Sequence, residues 1–282
     1  MRFIIVVILG FLGFVSANAE HIRGMVLDEA GNPLSYATIR LENQRIATLS
    51  DSLGNFGLQI YGVNDSLIIS YIGYKTRKFA IESLSDKSVV RFSLEPNVTN
   101  LPEVVVYPQS KIKYKNRKKG KKHGWAFLKS CLNGETAGDC FGYEFHSKKN
   151  RKLLLDKVGF FYCEGDSQMT KMKFRINIYD MSSVKKSPSS EFINILSKPI
   201  YFEYVLNNQL SGKFEYILPD KIELPENAMV EIEFLENLKN EIFWFKSNLI
   251  GKRTWSKSII DGEWEKNPFA TPFFIECIEL KD

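Results

Sequence analysis

Histidine is scarce in this chain. Only His21, His123 and His146 occur among its 282 residues. None of them begins an H-E-x-x-H or H-x-x-E pattern, so the common zinc-hydrolase signatures are missing. No P-loop, G-x-G-x-x-G or G-x-S-x-G motif is present either, which removes the usual nucleotide and nucleophile-elbow sites. The sequence therefore predicts a protein that is not an enzyme and holds no metal or cofactor.

Long hydrophobic runs are also lacking, with one exception at the N-terminus. Phe3–Val15 is apolar, follows the positive Met1-Arg2, and precedes the small residues Ser16–Ala19. A membrane-spanning helix needs about 20 apolar residues, and this run is shorter. We therefore predict a signal peptide over residues 1–19 with cleavage before Glu20. A membrane anchor is the competing interpretation.

Cysteine is limited to four residues, and no C-x-x-C pair occurs, which disfavours zinc ribbons and thioredoxin-like chemistry. An exported chain with an even cysteine count permits disulfides. A Cys131–Cys140 bridge closes a short loop, and a Cys163–Cys277 bridge joins two distant strand-like segments. Two such bridges, or one bridge with two buried thiols, are equally compatible with the sequence.

The positive charge is confined to one segment. The whole chain carries a formal charge of +5, yet residues 20–106 and 123–282 each carry −2. The excess comes from eight basic residues: Lys111, Lys113, Lys115, Arg117, Lys118, Lys119, Lys121 and Lys122. Such a run predicts an exposed linker over residues 107–123, either a solvated spacer or a contact to anionic lipid. Nucleic acid is not expected as a partner, because both flanking blocks are slightly acidic.

Residues 20–106 have the pattern of a small β-sandwich. Short alternating segments such as Tyr36–Leu41 and Phe56–Ile60 are separated by turn clusters at Asp28–Pro33 and Asp51–Asn55. Six or seven strands with turns every eight to twelve residues are typical of an antiparallel sandwich.

Several motifs of this block resemble the carboxypeptidase-regulatory-like domain, a family with a seven-stranded, transthyretin-like sandwich. They are Gly24-x-Val26-x-Asp28, Gly31-x-Pro33-Leu34-x-x-Ala37-x-Ile39, Asp51-x-x-Gly54-x-Phe56-x-Leu58 and Ile69–Tyr74. Leu101–Val106 is similar to the segment that follows this domain in TonB-dependent outer-membrane transporters. Too few residues follow Val106 for a plug and a barrel. The resemblance implies the periplasm or outer membrane of a Gram-negative bacterium, without transport by this chain.

Residues 124–282 predict a second β block. Trp125, Leu128 and Leu132 have helical spacing and predict a short opening helix. Alternation then dominates, as in Phe174–Ile178 and Val230–Phe234, so we predict a jelly-roll-like sandwich. Phe174–Tyr179, Pro225–Glu233 and Gly262-x-Trp264 give it a looser similarity to two-domain envelope proteins of Bacteroidota.

Acidic and aromatic residues of the second block supply the candidate sites. Glu231 and Glu233 share one strand face, as do Glu263 and Glu265. Such pairs usually form the solvent side of a strand, so we do not assign them catalysis. Trp255 and Trp264 flank the turn at Asp261-Gly262 and are candidate glycan-binding residues if both are exposed, whereas core packing is the alternative.

The sequence thus predicts an all-β, non-catalytic protein of the periplasm or envelope that binds a protein or a glycan. An accessory glycan- or peptide-processing enzyme with an unrecognised site is the alternative. The predicted organisation is a signal peptide (1–19), a first sandwich (20–106), a basic linker (107–123) and a second sandwich (124–282).

Overall fold

The protein is described as a computed structural model over residues 19–62, 64–84, 89–97, 114–119, 128–133, 137–148, 151–164, 171–182, 192–205, 212–237, 242–247, 254–267 and 273–280. Most of these residues are in β-strands, and the all-β prediction is confirmed. The helical content of these ranges is one short 3-10 helix, Ile81–Ser83. Within them no helix is long and apolar enough to cross a membrane.

The N-terminal sandwich is built from two small sheets. Its strands are β1 (Ala19–Asp28), β2 (Thr38–Leu41), β3 (Ala47–Leu49), β4 (Asn55–Tyr61), β5 (Ser66–Ser70), β6 (Arg77–Ala80) and β7 (Val90–Leu94). One sheet has the order β4-β1-β7 and the other has the order β3-β2-β5-β6. Strand β1 runs antiparallel to β4 and parallel to β7.

Local turn chemistry and strand alternation explain this sandwich. The Asp51 carboxylate accepts the backbone N–H groups of Leu53 and Asn55 at 2.8 and 2.9 Å, which closes the turn before β4. Residues that alternate along the strands, such as Ile39 and Phe92, are buried in a single core between the sheets. Burial of these side chains stabilises the sandwich through the hydrophobic effect.

The C-terminal sandwich is larger. Its strands are β8 (Tyr114–Lys119), β9 (Leu128–Asn133), β10 (Cys140–His146), β11 (Leu153–Glu164), β12 (Lys171–Asp180), β13 (Ile193–Asn194), β14 (Ile200–Val205), β15 (Gly212–Leu224), β16 (Asn227–Phe234), β17 (Ile242–Ser247), β18 (Thr254–Lys257), β19 (Glu265–Asn267) and β20 (Phe274–Leu280). One sheet has the order β13-β12-β16-β10-β18-β19, with β14 also on β12. The other has the order β8-β20-β11-β17-β9, with β15 on β11.

The core of this sandwich lies between its two sheets. On β12 the side chains of Phe174, Ile176 and Ile178 are fully buried in it. Phe174 contacts Phe160 of β11 in the facing sheet, with ring centroids 5.6 Å apart. Because side chains alternate along a strand, Arg175, Asn177 and their neighbours must point to the opposite face of the sheet.

Two local predictions about the start of this block are wrong. Leu128–Asn133 is a strand paired with β17, not part of a helix, and Trp125 lies outside the described residues. The predicted linker is also not an open tether throughout, because Tyr114–Lys119 pairs with β20. Arg117 donates to Glu279 of β20 at 2.6 Å, so an acidic partner on the neighbouring strand lets part of the basic run join the sheet.

The two disulfides proposed from the sequence are not formed. Cys140 and Cys277 are buried thiols, which excludes the Cys131–Cys140 and Cys163–Cys277 bridges. The backbone register also separates Cys131 from Cys163, because both pair with Trp244 from opposite sides of β17. Cys131 and Cys163 are therefore two strand spacings apart, which is about 10 Å and too far for a disulfide.

Candidate functional site

Charged and polar residues form a row across the outer face of the larger sheet. The strand register pairs Arg175 of β12 with Glu233 of β16, Glu233 with Cys140 of β10, and Cys140 with Lys257 of β18. One step along the strands, Asn177 is paired with Glu231. Together with Tyr179 these residues form what we call the polar floor: Cys140, Arg175, Asn177, Tyr179, Glu231, Glu233 and Lys257.

A buried ion pair occupies the centre of the polar floor. The Arg175 Nε and Nη2 atoms each donate to Glu233 at 2.8 Å, and the two residues are only 3% and 5% exposed. Asn177 Nδ2 donates to Glu231 at 2.9 Å and to Glu233 at 3.0 Å. Burial alone lowers the pKa of Arg175, but the Glu233 charge outweighs it and raises the pKa. The Arg175 guanidinium therefore stays charged, and its two hydrogen bonds fix its position against Glu233.

Glu231 is the most deeply buried member of the floor, with no exposed surface. Its Oε2 atom accepts no hydrogen bond from the described residues. Burial, followed by the charge of Glu233, raises the pKa of Glu231, while Lys257, Asn177 and the Tyr179 hydroxyl oppose part of that rise. The solvent-facing position predicted for Glu231 and Glu233 is thus wrong. The reason is that the N-terminal sandwich and an aromatic cluster cover this face.

This burial makes the stability of the protein depend on pH at Glu231. The folded pKa lies above the ordinary value of 4.5, so the folded chain holds a proton where the unfolded chain has lost it. The stabilisation is fully present below the unfolded pKa and is lost as the pH rises through the folded pKa. We expect Glu231→Gln to raise the melting temperature at pH 8 by about 2–4 °C, with little effect at pH 4.5. Calorimetry at both values tests this, with the exposed Glu263→Gln as control; equal shifts in the two variants contradict it.

The N-terminal sandwich is fastened to the polar floor through Tyr36. The Arg175 Nη1 atom donates to the Tyr36 carbonyl at 2.8 Å, and Lys173 donates to the Tyr36 hydroxyl at 3.1 Å. The Tyr201 hydroxyl donates to the Ser35 carbonyl at 3.2 Å. Tyr36 has a φ of 61°, which costs on the order of 1–3 kcal/mol for a residue other than glycine. These contacts hold the strained backbone in place.

Two further contacts join the sandwiches. The hydroxyls of Tyr71 and Tyr201 lie 3.2 Å apart. Burial, together with this hydrogen bond, raises the pKa of Tyr71, so its hydroxyl stays protonated. At the rim, Arg45 forms an ion pair with Asp261 at 2.8 Å, and both side chains are well exposed. The interface therefore has a buried centre and a solvated edge.

A cavity of about 680 Å³ lies between the two sandwiches, against the polar floor. The N-terminal sandwich contributes hydroxyl, amide and backbone groups and Lys75, and the C-terminal sandwich contributes the other charged residues and an aromatic wall of Phe192 and Trp264. The residues that line it are Thr38, Ser70–Thr76, Asn97, Arg175, Asn177, Tyr179, Phe192–Asn194, Glu233, Lys257, Gly262 and Trp264. Its size and its place between two domains are typical of a small-molecule site.

The two candidate tryptophans have different positions. Trp255 is 8% exposed, its Nε1 donates to Glu144 at 2.8 Å, and its ring packs against Phe192. Trp255 thus follows the core-packing alternative, because Phe192 covers it. Trp264 is half-buried and lines the cavity. Trp264 alone of this pair is placed to contact a ligand there.

Sequence reasoning missed most of the residues that line the cavity. The pattern of the sequence predicts a strand at Arg175 and Asn177 but no site there, and it does not distinguish Phe192 or Tyr71 from core aromatics. A usable signal was present, because Arg175 and Asn177 alternate with Phe174, Ile176 and Ile178, and a charge in so apolar a strand needs a partner.

The remaining predicted site residues lie elsewhere. Of the basic run, Lys111, Lys113, Lys121 and Lys122 lie outside the described residues, and contact with anionic lipid stays a prediction. Within the described ranges, no group of three or more His, Cys, Asp or Glu residues is arranged to hold a metal ion.

Comparison with known proteins identifies the first sandwich. Residues 22–106 match the family model of the CarboxypepD_reg-like domain. The chain therefore contains a carboxypeptidase-regulatory-like domain, as its turn and core motifs predicted. A search of the curated proteins found none that matches the chain.

Proposed function

We propose that this chain is a non-catalytic binding protein of the bacterial periplasm or envelope, and that it recognises a glycan in the cavity between its two sandwiches. The observation that carries the proposal is the cavity itself. It combines an aromatic wall with hydrogen-bonding groups from both sandwiches. A protein partner is the second candidate, since the sequence favoured either.

The chemistry of the lining favours a sugar. Neutral groups able to exchange hydrogen bonds with hydroxyls come from Thr38, Thr76 and Asn194. The aromatic wall supplies the apolar surface on which the C–H face of a sugar ring packs. A few fixed polar groups beside an aromatic surface are the usual composition of an orienting small-molecule site.

We prefer binding to glycoside hydrolysis because Glu231 and Glu233, the two carboxylates of the polar floor, are not free to act as a catalytic pair. Both oxygens of Glu233 accept hydrogen bonds from Arg175, so this carboxylate is held and neutralised. Glu231 lies behind the cavity lining and is fully buried. A glycosidase needs one carboxylate at each side of the scissile bond. The enzyme alternative rests on the raised pKa of Glu231, and release of shortened products from a bound oligosaccharide would support it.

The location in the envelope is supported by two features of the sequence. Residues 1–19 have the pattern of a signal peptide, although residues 1–18 are outside the described part of the chain. Residues 22–106 match the regulatory-like domain, and Leu101–Val106 resembles the segment that follows this domain in TonB-dependent transporters. Both favour an exported protein that docks near other envelope proteins.

Removal of the Trp264 side chain tests the glycan site. We expect Trp264→Ala to weaken binding on a glycan array by about tenfold or more, because the aromatic wall is lost. Trp264 is half-buried and packs edge-on against Tyr179 at 5.7 Å, so the melting temperature should fall only by several degrees. Tyr61→Ala removes an aromatic that is 52% exposed and remote from the cavity, and it should leave binding unchanged. Unaltered binding by Trp264→Ala would place the ligand elsewhere.

A further inference from the structure

The cavity contains one cation whose charge the protein does not directly neutralise. Arg175 is paired with Glu233, and Lys75 is paired with Glu95 at 3.0 Å. The acids that act on Lys257 are Glu231 and Glu233, and Glu233 is paired with Arg175. Its ammonium lies 4.8 Å from the centroid of the Trp264 ring. The positive charge is therefore held against the aromatic wall, inside the space where a ligand would lie.

The surroundings of Lys257 keep it charged and available. Burial lowers its pKa, but Cys140 and then the acids Glu231 and Glu233 outweigh this and raise it. Glu233 is already bound on both oxygens by Arg175, and Glu231 does not line the cavity. Glu233 cannot move to Lys257 without breaking its hydrogen bonds to Arg175 and Asn177, and Glu231 is held through Oε1 by Asn177. The Lys257 ammonium lines the cavity and is placed to bind a carboxylate of a ligand there.

We infer that the cavity selects acidic sugars, with Lys257 binding the carboxylate of a hexuronate whose ring packs on the wall of Phe192 and Trp264. This inference rests on the proposed glycan function and narrows its ligand class. A uronate places a carboxylate at the edge of a pyranose ring, which matches a cation at the edge of an aromatic surface. Hydrogen bonds to charged groups are stronger than those between neutral groups, so the carboxylate supplies the selectivity.

The test compares oligogalacturonate with its methyl ester, which has the same ring and hydroxyls without the charge. With the purified full chain, calorimetric titration should show the acid binding about 10–100 times more tightly than the ester. Lys257→Met should reduce this preference to about threefold or less, while Lys257→Arg should keep most of it. Lys266→Met is the matched control. The Lys266 ammonium lies 4.9 Å from the Trp255 ring on the neighbouring strand, but Lys266 does not line the cavity.

Each result separates this inference from the proposed function. If acid and ester bind equally, and both depend on Trp264, the glycan site stands and selectivity for acids is wrong. If neither binds, the uronate assignment is wrong, and the glycan array with Trp264→Ala decides the proposed function by itself. If peptides with a free C-terminal carboxylate bind where oligogalacturonate does not, the cavity accepts a peptide and the uronate assignment is overturned. The acid-to-ester ratio of the unmodified chain decides the matter even if Lys257→Met fails to fold.

Discussion

Arg175→Met is expected to destabilise the protein by roughly 3–5 kcal/mol, the typical cost of leaving one member of a buried ion pair without its partner. The substitution removes both hydrogen bonds to Glu233 and the one that Arg175 makes to the Tyr36 carbonyl. Glu233 would then be 5% exposed and charged, with Asn177 as its remaining hydrogen-bond donor. Urea denaturation followed by fluorescence measures the change in the free energy of unfolding.

Two controls define what Arg175 contributes. Arg45→Met also removes an arginine that bridges the sandwiches, but its ion pair with Asp261 is solvated, so we expect a loss of no more than about 1 kcal/mol. The double variant Arg175→Met, Glu233→Met should be more stable than Arg175→Met alone, because it removes the unpaired buried charge. If Arg175→Met costs no more than Arg45→Met, the ion pair is not buried in solution.

The fold was predictable as far as local pattern determines it. Alternation along segments such as Phe174–Ile178 predicts strands, and the Asp51 turn chemistry predicts where β4 begins. The same alternation cannot tell whether the second face of a strand meets water or another domain. For Glu231 and Glu233 that choice depends on the N-terminal sandwich, whose Tyr36 is almost 200 residues distant in sequence.

The errors at Lys115–Lys119 and Leu128–Leu132 have the same origin. Basic residues in a run repel one another, which by itself favours an exposed linker. Here the run pairs with β20, and Glu279 of that strand neutralises part of the charge. Leucines four residues apart suit a helix, yet the pairing of Leu128–Asn133 with β17 provides more hydrogen bonds and a sheet neighbour. In both segments a partner distant in sequence decides the structure, and the local pattern carries no information about it.

The candidate site was least predictable because it exists only between the sandwiches. The polar floor needs the register of β12, β16, β10 and β18 to place its residues in one row. The cavity then needs Ser70–Thr76 of the other sandwich as its opposite wall. Of the two candidate tryptophans, Trp264 lines the cavity, together with Gly262, and Trp255 does not. Any change that separates the sandwiches should therefore abolish the site while each sandwich remains folded.

Gly73→Ala is such a change. Gly73 lies in the wall of the cavity with a φ of +77°, and a Cβ atom placed there would be 2.7 Å from the backbone oxygen of Ser197 in the other sandwich. Because that atom is backbone and not the end of a flexible side chain, the contact between the two sandwiches must shift to admit the methyl group. We expect glycan binding to fall by at least about tenfold, and calorimetry to show two unfolding transitions where the unmodified chain shows one.

Gly31→Ala separates the interface effect from backbone strain. Gly31 has a φ of +85°, but nothing lies within 4 Å of the position that an alanine methyl group would take there. This variant therefore carries the left-handed backbone penalty of about 1 kcal/mol without a clash. It should keep one unfolding transition and full binding. The difference in binding and in unfolding between the two variants then measures how strongly the contact at Gly73 holds the two sandwiches together. Equal behaviour of Gly73→Ala and Gly31→Ala would mean that the contact between Gly73 and Ser197 is not maintained in solution and that the cavity is open without a ligand.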